Sequence, residues 1–507
     1  MTLDRRTFLQ AGALTVASAA LPAFAREQTP LVSVGIDTRE VSAALPHVWE
    51  ECAGSDRAAI TLRESWRRDL LRWHDEVGLK RVRFHGIFND ELGVFAPSIL
   101  NRGAPQAPNF QDVDEVYDGL LELGVSPFIE LSFMPQRLAS GDRKFGFYAA
   151  NVSPPTSNEA WGAFIHTFVA HLIDRYGLAA VSSWPFEVWN EPNLPYFWSG
   201  TQQQYFELYR ASAVAIKSID SKLQVGGPST ARAQWLPQLA AYCEQSNTPI
   251  DFFSTHVYAG DDQKTLFGAA EHYPPSDVIP EAVHRSREEI DATVFRGRPL
   301  WLTEWSSDSP AMIAHVITAC LPYCRAMSPW ALSGTYEELG VADTILSEGG
   351  SWGMMTHGIA MPSFNTYKLL HALGPQRLTA RGPVLASRRA DGSTAALVWN
   401  LAEVVQPSGI PGQSHARRVQ GEAKRLRLEF AGARAGQRAQ VRYVDQERGS
   451  PMPAWRAMGS PQYITREQIA VLRRSAQIPP AQTLELDRSR RLVLDLPPEG
   501  VALVELM

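Results

Sequence analysis

Three glutamates of the sequence stand among apolar and aromatic residues, where a carboxylate is costly to bury. Glu187 and Glu191 lie four residues apart in PFEVWNEPNLPYFWSG, residues 185–200, and Glu304 follows in PLWLTEWSS. Two buried acids without a function carry a large desolvation penalty. A pair of carboxylates on either side of a glycosidic bond is what glycoside hydrolysis requires. Glu191 and Glu304 are therefore candidate catalytic residues, provided that the fold brings them together.

The elements that must position these glutamates alternate between residues 31 and 375. The strand-like runs are ALPHVWEECAG, LKRVRFHGIF, VSPFIELSF, WPFEVWNEP, LQVGGPS, DFFSTHVYA, PLWLTEWSS and PWALSGTYEE. The helical stretches between and after them are 65–77, 111–123, 158–177, 202–218, 235–245, 280–296, 309–326 and 363–373. Eight strands alternating with eight helices predict a (β/α)8 TIM barrel over 31–375. A doubly wound sheet is the alternative, but the chain lacks the glycine-rich fingerprint that commonly marks such folds.

The pattern changes after about residue 376. Short alternating runs such as STAALVWNL, AKRLRLEFAG, RAQVRYVD and VALVELM are separated by clusters of Gly, Pro, Asp and Ser. This pattern predicts a C-terminal antiparallel β-sandwich over 376–507. The first strand after the leader, about residues 30–37, is a candidate to pair with that sandwich.

The active site of a TIM barrel lies at the carboxyl ends of its strands, which selects further candidates. Asn190 and Glu191 end the fourth predicted strand, and Glu304 and Trp305 end the seventh. Glu187 lies one layer deeper, and we expect a structural carboxylate bonded to an arginine such as Arg83. The other candidates for a polar, aromatic sugar pocket are His47, His85, Phe133, His256, Tyr258, Tyr336, Glu337 and Glu338.

Six segments together resemble one known family. HVWEECAGSDRA, RFHGIF, ELSFMPQRLASG, FEVWNEPNL, FFSTHVY and LTEWSS are similar, in order and spacing, to family 39 of the glycoside hydrolases, particularly its β-xylosidases. The resemblance implies a barrel with a β-sandwich. It implies that Glu191 is the acid/base, Glu304 the nucleophile and Asn190 the partner of the sugar 2-hydroxyl. Positions that the family uses around the glycone are matched by His85, His256, Tyr258 and Glu338.

The resemblance implies a retaining, exo-acting β-D-xylosidase that releases xylose from xylo-oligosaccharides by double displacement. Two positions depart from the family pattern, with Ser306 where many members have Asn and Gly334 where a more polar residue is usual. They leave the catalytic pair intact but keep other glycones open, namely L-arabinose, a hexose or a uronic acid. A non-catalytic sugar-binding protein on the same barrel is a further alternative, although such a protein would usually have lost one glutamate.

Other chemistries have weaker support in the sequence. Gly349 to Gly353 formally match G-x-S-x-G, but the flanking residues indicate a rim loop, whereas a nucleophile elbow needs a strand-to-helix turn. A net charge of −6 argues against a nucleic-acid partner, and the four cysteines fit no zinc site. We therefore predict a carbohydrate substrate and neither a metal nor a cofactor. The sequence leaves the oligomeric state open.

The first 25 residues predict an export signal. Arg5 and Arg6 precede an apolar stretch that ends in Ala23-Phe24-Ala25, a small-x-small cleavage site. This pattern resembles a twin-arginine leader, and cleavage is expected before Arg26. No later apolar stretch is long enough for a transmembrane helix. The sequence thus predicts a periplasmic or secreted protein without a membrane partner.

Overall fold

Eight parallel strands form the first and larger unit of the protein. The computed structural model describes residues 30–96, 107–338, 345–347, 353–405 and 418–507. In sheet order the barrel strands are Ala53–Arg57, Arg81–His85, Ser126–Leu131, Pro185–Val188, Gln224–Ala231, Phe252–His256, Leu300–Trp305 and Ala326–Pro329. The last strand returns to the first, because Met327 N–H donates to the Val48 carbonyl at 3.0 Å and Leu332 N–H to the Gly54 carbonyl at 2.8 Å. The predicted TIM barrel is confirmed.

Helices follow the barrel strands and cover them. Their bounds are Glu64–Val77, Gln111–Leu121, Asn158–Tyr176, Leu178–Val181, Gln202–Ile219, Leu236–Gln245, Gln263–Phe267, Pro275–Asp291, Pro310–Cys320 and Pro362–His371, with 3-10 turns at Ala58–Leu62 and Asp90–Leu92. Side chains satisfy the first amides of several of these helices. Ser157 accepts from Ala160 N–H, and Thr201 forms a capping box with Gln204.

The end of the barrel differs from the sequence prediction. The helix predicted over 309–326 ends at Cys320, and the eighth strand lies at Ala326–Pro329, ahead of most of PWALSGTYEE. The sixth major helix begins at Pro275, with Pro280 inside it, and ends at Asp291. Local periodicity continued across the turn after Cys320, but closing the barrel requires an extended segment beside the first strand.

The second unit is a nine-stranded mixed sheet. In sheet order its strands are Gln482–Glu485, Arg438–Val444, Val501–Leu506, Thr394–Trp399, Val384–Arg388, Gln376–Arg381, Leu31–Ala44, Lys424–Ala431 and Arg491–Leu496. The strand Leu31–Ala44 pairs antiparallel with Gln376–Arg381 and parallel with Lys424–Ala431. The pairing expected for the first strand is therefore confirmed, and the sheet is not purely antiparallel. Short helices at Met452–Ala457 and Arg466–Ser475 interrupt this part of the chain.

Three short two-stranded pairs complete the secondary structure of the described ranges. They are Lys144–Phe145 with Ala150–Asn151, Met355–Thr356 with Ile359–Ala360, and Glu403–Val405 with Arg418–Gln420. The first of these hairpins lies in the loop that follows the third barrel strand. Residues 144–151 therefore belong to the side of the barrel on which the parallel strands end.

Buried apolar residues form one large cluster in the barrel and its helices and a second cluster built mostly from the nine-stranded sheet. The four cysteines, Cys52, Cys243, Cys320 and Cys324, are free and buried. Among the helices of the described residues, none combines the length and hydropathy needed to cross a bilayer. The predicted leader, residues 1–25, and residues 349–352 of the G-x-S-x-G match lie outside the described residues.

Candidate active site

Glu191 stands just beyond the fourth barrel strand, in a turn of unusual backbone geometry. Trp189 and Glu191 both have positive φ values, 71° and 41°. This region is unfavourable for residues with a side chain and persists only where neighbouring contacts hold it. One such contact is the Glu191 N–H, which donates to the Ser229 carbonyl at 2.8 Å. The turn directs the Glu191 carboxyl group toward the carboxyl end of the barrel. The residue is only 8% exposed.

Glu304 lies in the seventh barrel strand, Leu300–Trp305, and is 5% exposed. Its two oxygens have different donors. Arg83 donates from Nη1 to Oε1 at 2.7 Å, and the Tyr258 hydroxyl donates to Oε2 at 2.9 Å. Hydrogen bonds from a cation and a phenol stabilise the ionised form of a carboxyl group and hold its orientation.

The two glutamates meet at His256, the last residue of the sixth barrel strand. His256 Nδ1 lies 3.0 Å from Glu191 Oε1 and 3.6 Å from Glu304 Oε2. The ligating atoms of these three side chains all lie within 4.8 Å of one another. Retaining glycosidases place their carboxyl groups about 5–5.5 Å apart, whereas inverting enzymes leave about 6.5–9.5 Å for a water molecule. One oxygen of each glutamate thus lies within 4.8 Å of the other, which leaves less room than an inverting enzyme needs and agrees with the retaining class.

A fully buried arginine ties this site to the barrel interior. Arg83 pairs through Nε with Glu187 Oε2 at 2.6 Å and through Nη2 with Glu130 Oε2 at 2.7 Å. Its Nη2 also donates to Asn190 Oδ1 at 2.9 Å. The expected Arg83–Glu187 contact is confirmed. Sequence reasoning missed that Arg83 also holds Glu304, and it missed Glu130 altogether; the signal was an arginine enclosed by Val82 and Phe84 in the strand RVRFHG.

Electrostatics separate the two candidate acids. Burial raises the pKa of Glu191 well above its ordinary value, and the charge of Glu304 raises it further. Burial also raises the pKa of Glu304, but Arg83, His85 and the Tyr258 hydroxyl oppose that rise. Like charges at this separation cannot both ionise freely, so the first proton is lost where a cation compensates it. Glu304 is thus the carboxylate of the pair, and Glu191 is the carboxylic acid.

Comparison with known proteins agrees with this geometry. The family model described as glycosyl hydrolases family 39 matches residues 32–486. The chain belongs to family 39 of the glycoside hydrolases. It is 32% identical over 471 residues to a β-xylosidase of Caldicellulosiruptor saccharolyticus, covering 89% of this chain and 93% of that protein. A β-xylosidase of Geobacillus stearothermophilus is 31% identical over 463 residues, covering 87% and 88% of the two chains.

One solved structure resembles this protein over nearly the whole length of both chains. It is the crystal structure of a monomeric β-xylosidase from Caulobacter crescentus CB15, with a TM-score of 0.82 and 32% sequence identity. The match covers 94% of this chain and 99% of that one. The similarity therefore includes both the barrel and the nine-stranded sheet.

Polar groups beside Glu191 and Glu304 form a second charged cluster in this family 39 enzyme. His85 Nδ1 lies 2.8 Å from Glu130 Oε2, and His85 Nε2 lies 3.7 Å from Glu338 Oε1. Burial opposes the charged form of His85, but Glu130 and Glu338 outweigh it and raise its pKa to about 9. Burial raises the pKa of Glu338 to about 7, and its carboxylate also bonds the Tyr336 hydroxyl. These groups supply donors and acceptors beside Glu304.

Two predicted pocket residues lie beneath the site of the family 39 enzyme. Phe133 and Trp305 are fully buried, so neither side chain offers a surface to a ligand in this structure. The Phe133 ring packs 5.8 Å from the His85 ring and 5.5 Å from the Trp189 ring. Trp305 belongs to the main apolar cluster. Phe133 thus packs against the His85 ring of the charged cluster, and substrate binding by Phe133 and Trp305 stays a prediction.

The structure places His47 away from the site, whereas a binding role for Glu337 stays a prediction. The first barrel strand begins only at Ala53, so His47 precedes it and lies at the amino end of the strands, opposite the active site. Its Nδ1 lies 2.5 Å from Glu50 Oε1, which His371 Nδ1 approaches at 2.8 Å. Glu337 lies near the rim but pairs with two arginines, with Arg57 Nη2 at 3.1 Å and with Arg63. Its carboxylate is thereby occupied in holding the loop.

Proposed function

We propose that this protein is a retaining, exo-acting β-D-xylosidase that releases xylose from xylo-oligosaccharides. The observation that carries the proposal is the pairing of Glu191 and Glu304 within 4.8 Å around His256, with Arg83 on one acid only. The β-xylosidases that resemble the chain over most of its length support the choice of xylose. The competing hypotheses are the other glycones that the sequence leaves open, namely L-arabinose, a hexose or a uronic acid.

Glycosylation follows from the two protonation states. Ionised Glu304 attacks the anomeric carbon, and protonated Glu191 gives its proton to the departing glycosidic oxygen. The bond from the anomeric carbon to the leaving oxygen breaks as the ester bond to Glu304 forms. Arg83 and Tyr258 hold the nucleophile in place, so that attack needs no rearrangement of the carboxylate. The product of this step is a covalent glycosyl-enzyme and a free leaving group.

Deglycosylation uses the same residues with their charges exchanged. Once Glu304 is an ester it carries no charge, and the pKa of Glu191 falls because Coulombic repulsion from Glu304 is gone. Glu191, ionised after the first step, takes a proton from water while the water oxygen attacks the anomeric carbon. The ester bond breaks, Glu304 returns as a carboxylate, and the two inversions give net retention.

Asn190 has a free donor at the right place to read a sugar hydroxyl. Its Oδ1 accepts from Arg83, which can only donate, so the amide orientation is fixed with Nδ2 turned away. Asn190 Nδ2 is buried and has no hydrogen-bond partner among the described residues. A buried donor is costly unless it is satisfied, and a substrate hydroxyl would satisfy it. We assign Nδ2 to the sugar 2-hydroxyl, and the cluster of His85, Tyr336 and Glu338 to the other glycone hydroxyls.

A panel of p-nitrophenyl glycosides tests the activity and the glycone together. We expect the highest kcat/KM on the β-D-xyloside, and proton NMR of early product should show the β anomer first. A higher kcat/KM on an α-L-arabinoside, a hexoside or a uronide would identify that sugar as the glycone and contradict the choice of xylose. Appearance of the α anomer of xylose as the first product would contradict the retaining mechanism. Binding of sugars without hydrolysis of any glycoside would instead indicate the non-catalytic alternative.

We also infer that the nine-stranded sheet folds over its own core as a β-sandwich, as the sequence predicts, but with one parallel strand pair. Its apolar cluster joins strands far apart in the sheet order, such as those carrying Val34, Val441 and Leu494. A crystal structure with two layers packed about 10 Å apart would agree with this inference. A single open layer would contradict it.

We propose that residues 1–25 export the folded enzyme to the periplasm or the medium. The proposal rests on Arg5, Arg6 and the Ala23-Phe24-Ala25 cleavage site. N-terminal sequencing of the exported protein should begin at Arg26. Replacing both arginines with lysine should leave the protein in the cytoplasm, and export unaffected by that change would argue against a twin-arginine route.

A further inference from the structure

The fifth barrel strand, Gln224–Ala231, brings a fully buried serine hydroxyl into the active site. Ser229 Oγ lies 3.1 Å from Arg83 Nη2 and 3.2 Å from His256 Nε2. The other side of the same imidazole faces Glu191, with Nδ1 at 3.0 Å from Oε1. A continuous chain of polar contacts therefore runs from the guanidinium that holds Glu304 to the carboxyl group of Glu191.

The direction of each hydrogen bond in this chain is fixed by the groups in it. An arginine nitrogen can only donate, so Ser229 Oγ accepts from Arg83. The hydroxyl could accept a second bond, but its own proton needs an acceptor, and among its contacts in the described part of the chain His256 Nε2 is the group that can take it. Ser229 therefore donates to Nε2. Burial lowers the pKa of His256 well below its ordinary value, and the positive charges of Arg83 and His85 lower it further. His256 is thus neutral and carries one proton, which the bond from Ser229 places on Nδ1.

The two carboxyl groups on the Nδ1 side require the same tautomer. Nδ1 faces Glu191 at 3.0 Å and Glu304 at 3.6 Å, and a bare nitrogen lone pair turned toward both acids would be unfavourable beside the Glu304 charge. With the proton on Nδ1, His256 donates to Glu191 Oε1. The acidic proton of Glu191 then belongs on Oε2, the oxygen that His256 does not contact.

We propose that Ser229 is a positioning residue that locks His256 with its proton on Nδ1 and thereby keeps the proton of Glu191 on Oε2, available to the leaving group. Without the Ser229 hydroxyl, His256 can carry its proton on Nε2. Glu191 can then donate its own proton to Nδ1, where it is lost to the departing oxygen. Ser229 therefore acts through His256 and touches no reacting atom. This inference rests on the proposed role of Glu191 as the acid.

Leaving-group dependence separates this role from a structural one. A dinitrophenolate leaves without a proton, whereas a poor leaving group such as an alkoxide needs the acid. Ser229→Ala should lower kcat/KM for xylosides with poor leaving groups by about tenfold or more, a part of the usual contribution of general acid catalysis. Dinitrophenyl xyloside should change by less than about twofold. Equal losses on both substrates would mean damage to Glu304 or to the fold, and would overturn the proposal.

Ser254 provides a matched control. It is a fully buried serine on the neighbouring sixth strand, opposite Pro228, and its Oγ has no hydrogen-bond partner within the part of the chain that is described. Ser254→Ala removes the same kind of atom from the adjacent strand but leaves the chain of contacts to Glu191 intact. It should keep the wild-type dependence on leaving group. If both variants lost activity mainly on substrates with poor leaving groups, the specific role of Ser229 would be contradicted.

A spectroscopic measurement on the unmodified enzyme tests the tautomer directly. Long-range ¹H–¹⁵N correlation of histidine-labelled protein distinguishes the two neutral tautomers, and the spectrum of a His256→Gln variant assigns the signal. We expect Nδ1 to be protonated and Nε2 to be unprotonated in the wild type, with Ser229→Ala shifting the population toward Nε2–H. A wild-type Nε2–H tautomer would overturn the proposal. This readout stands even if the enzyme prefers a glycone other than xylose, so the two failures are distinguishable.

Discussion

Arg83 donates to Glu304 across 2.7 Å, and the same fully buried guanidinium is the cation that faces Glu130 and Glu187. Arg83 thus opposes three carboxyl groups at the centre of the barrel, with His85 as a second cation beside Glu130 and Glu304. A buried ion pair contributes little net stability compared with apolar residues, but removing one partner leaves an uncompensated charge. The nucleophile and the interior of the barrel therefore depend on the same side chain.

Removing that charge should cost both stability and activity. We expect Arg83→Met to lower the free energy of unfolding by about 3–5 kcal/mol, measured by chemical denaturation. It should also lower kcat/KM on every aryl glycoside, because Glu304 loses its cation. Arg425→Met is the control, since Arg425 pairs with Asp495 at the surface, where solvent screens the pair and its loss should hardly change stability. An equal effect of both substitutions on stability would contradict the interpretation.

Chemical rescue should distinguish the two catalytic glutamates. Glu304→Ala should abolish hydrolysis, and azide should restore turnover by taking the place of the nucleophile, giving an α-glycosyl azide in one inversion. Glu191→Ala should lose about 10²–10⁴-fold on poor leaving groups and much less on dinitrophenyl substrates. Azide should there attack the glycosyl-enzyme and give the β-glycosyl azide. If the Glu304 variant gave the β-glycosyl azide and the Glu191 variant the α-glycosyl azide, the roles of nucleophile and acid/base would have to be exchanged.

The rate should depend on pH with a bell shape. Glu191 acts in its protonated form, so kcat/KM falls as pH rises through its strongly raised pKa. Glu304 acts in its ionised form, so kcat/KM falls as pH decreases through its own pKa. Glu191→Gln, assayed on a dinitrophenyl substrate that needs no acid, should lose the basic limb and keep the acidic limb. A basic limb that persists in this variant would assign it to another group.

The cluster at the opposite end of the barrel should stabilise the fold in a pH-dependent way. The bond to Glu50 raises the pKa of His371, so its contribution is complete below the ordinary value of about 6.5 and is lost as pH rises through the raised value. We expect His371→Gln to destabilise the protein at about pH 6 and hardly at all at about pH 9. His284→Gln is a control of similar exposure, paired with Glu288 on its own helix. Equal destabilisation of His371→Gln at both pH values would contradict the expectation.

Much of the architecture follows from local sequence. The helices predicted over 158–177 and 202–218 are observed at Asn158–Tyr176 and Gln202–Ile219, because Ser157 and Thr201 mark their beginnings and the apolar periodicity fixes their length. The eighth strand was misplaced because its position is decided by hydrogen bonds to the first strand, about which its own residues carry no information. His47 was misplaced for a related reason, since the strand begins several residues later than its apolar run suggests.

The site was predictable to the extent that strand ends could be read. Glu191 and Glu304 follow from the rule that barrel strands end at one rim, whereas the contacts of Arg83 reach residues 107 and 221 positions away in the chain. No periodicity encodes such distances. The chain of polar contacts through Ser229 depends on the orientations of Arg83, Ser229 and His256. A serine within LQVGGPS gives no indication of these contacts.

The strand Leu31–Ala44 lies between Gln376–Arg381 and Lys424–Ala431, and Thr38 bonds to the Ala431 carbonyl 393 residues later. During synthesis this early strand therefore has no partner until residues 376–381 have left the ribosome, and its second neighbour follows only at residues 424–431. The segment joined to the predicted leader becomes ordered only when the C-terminal strands arrive. A chain that stops before residue 376 would therefore keep this strand unpaired.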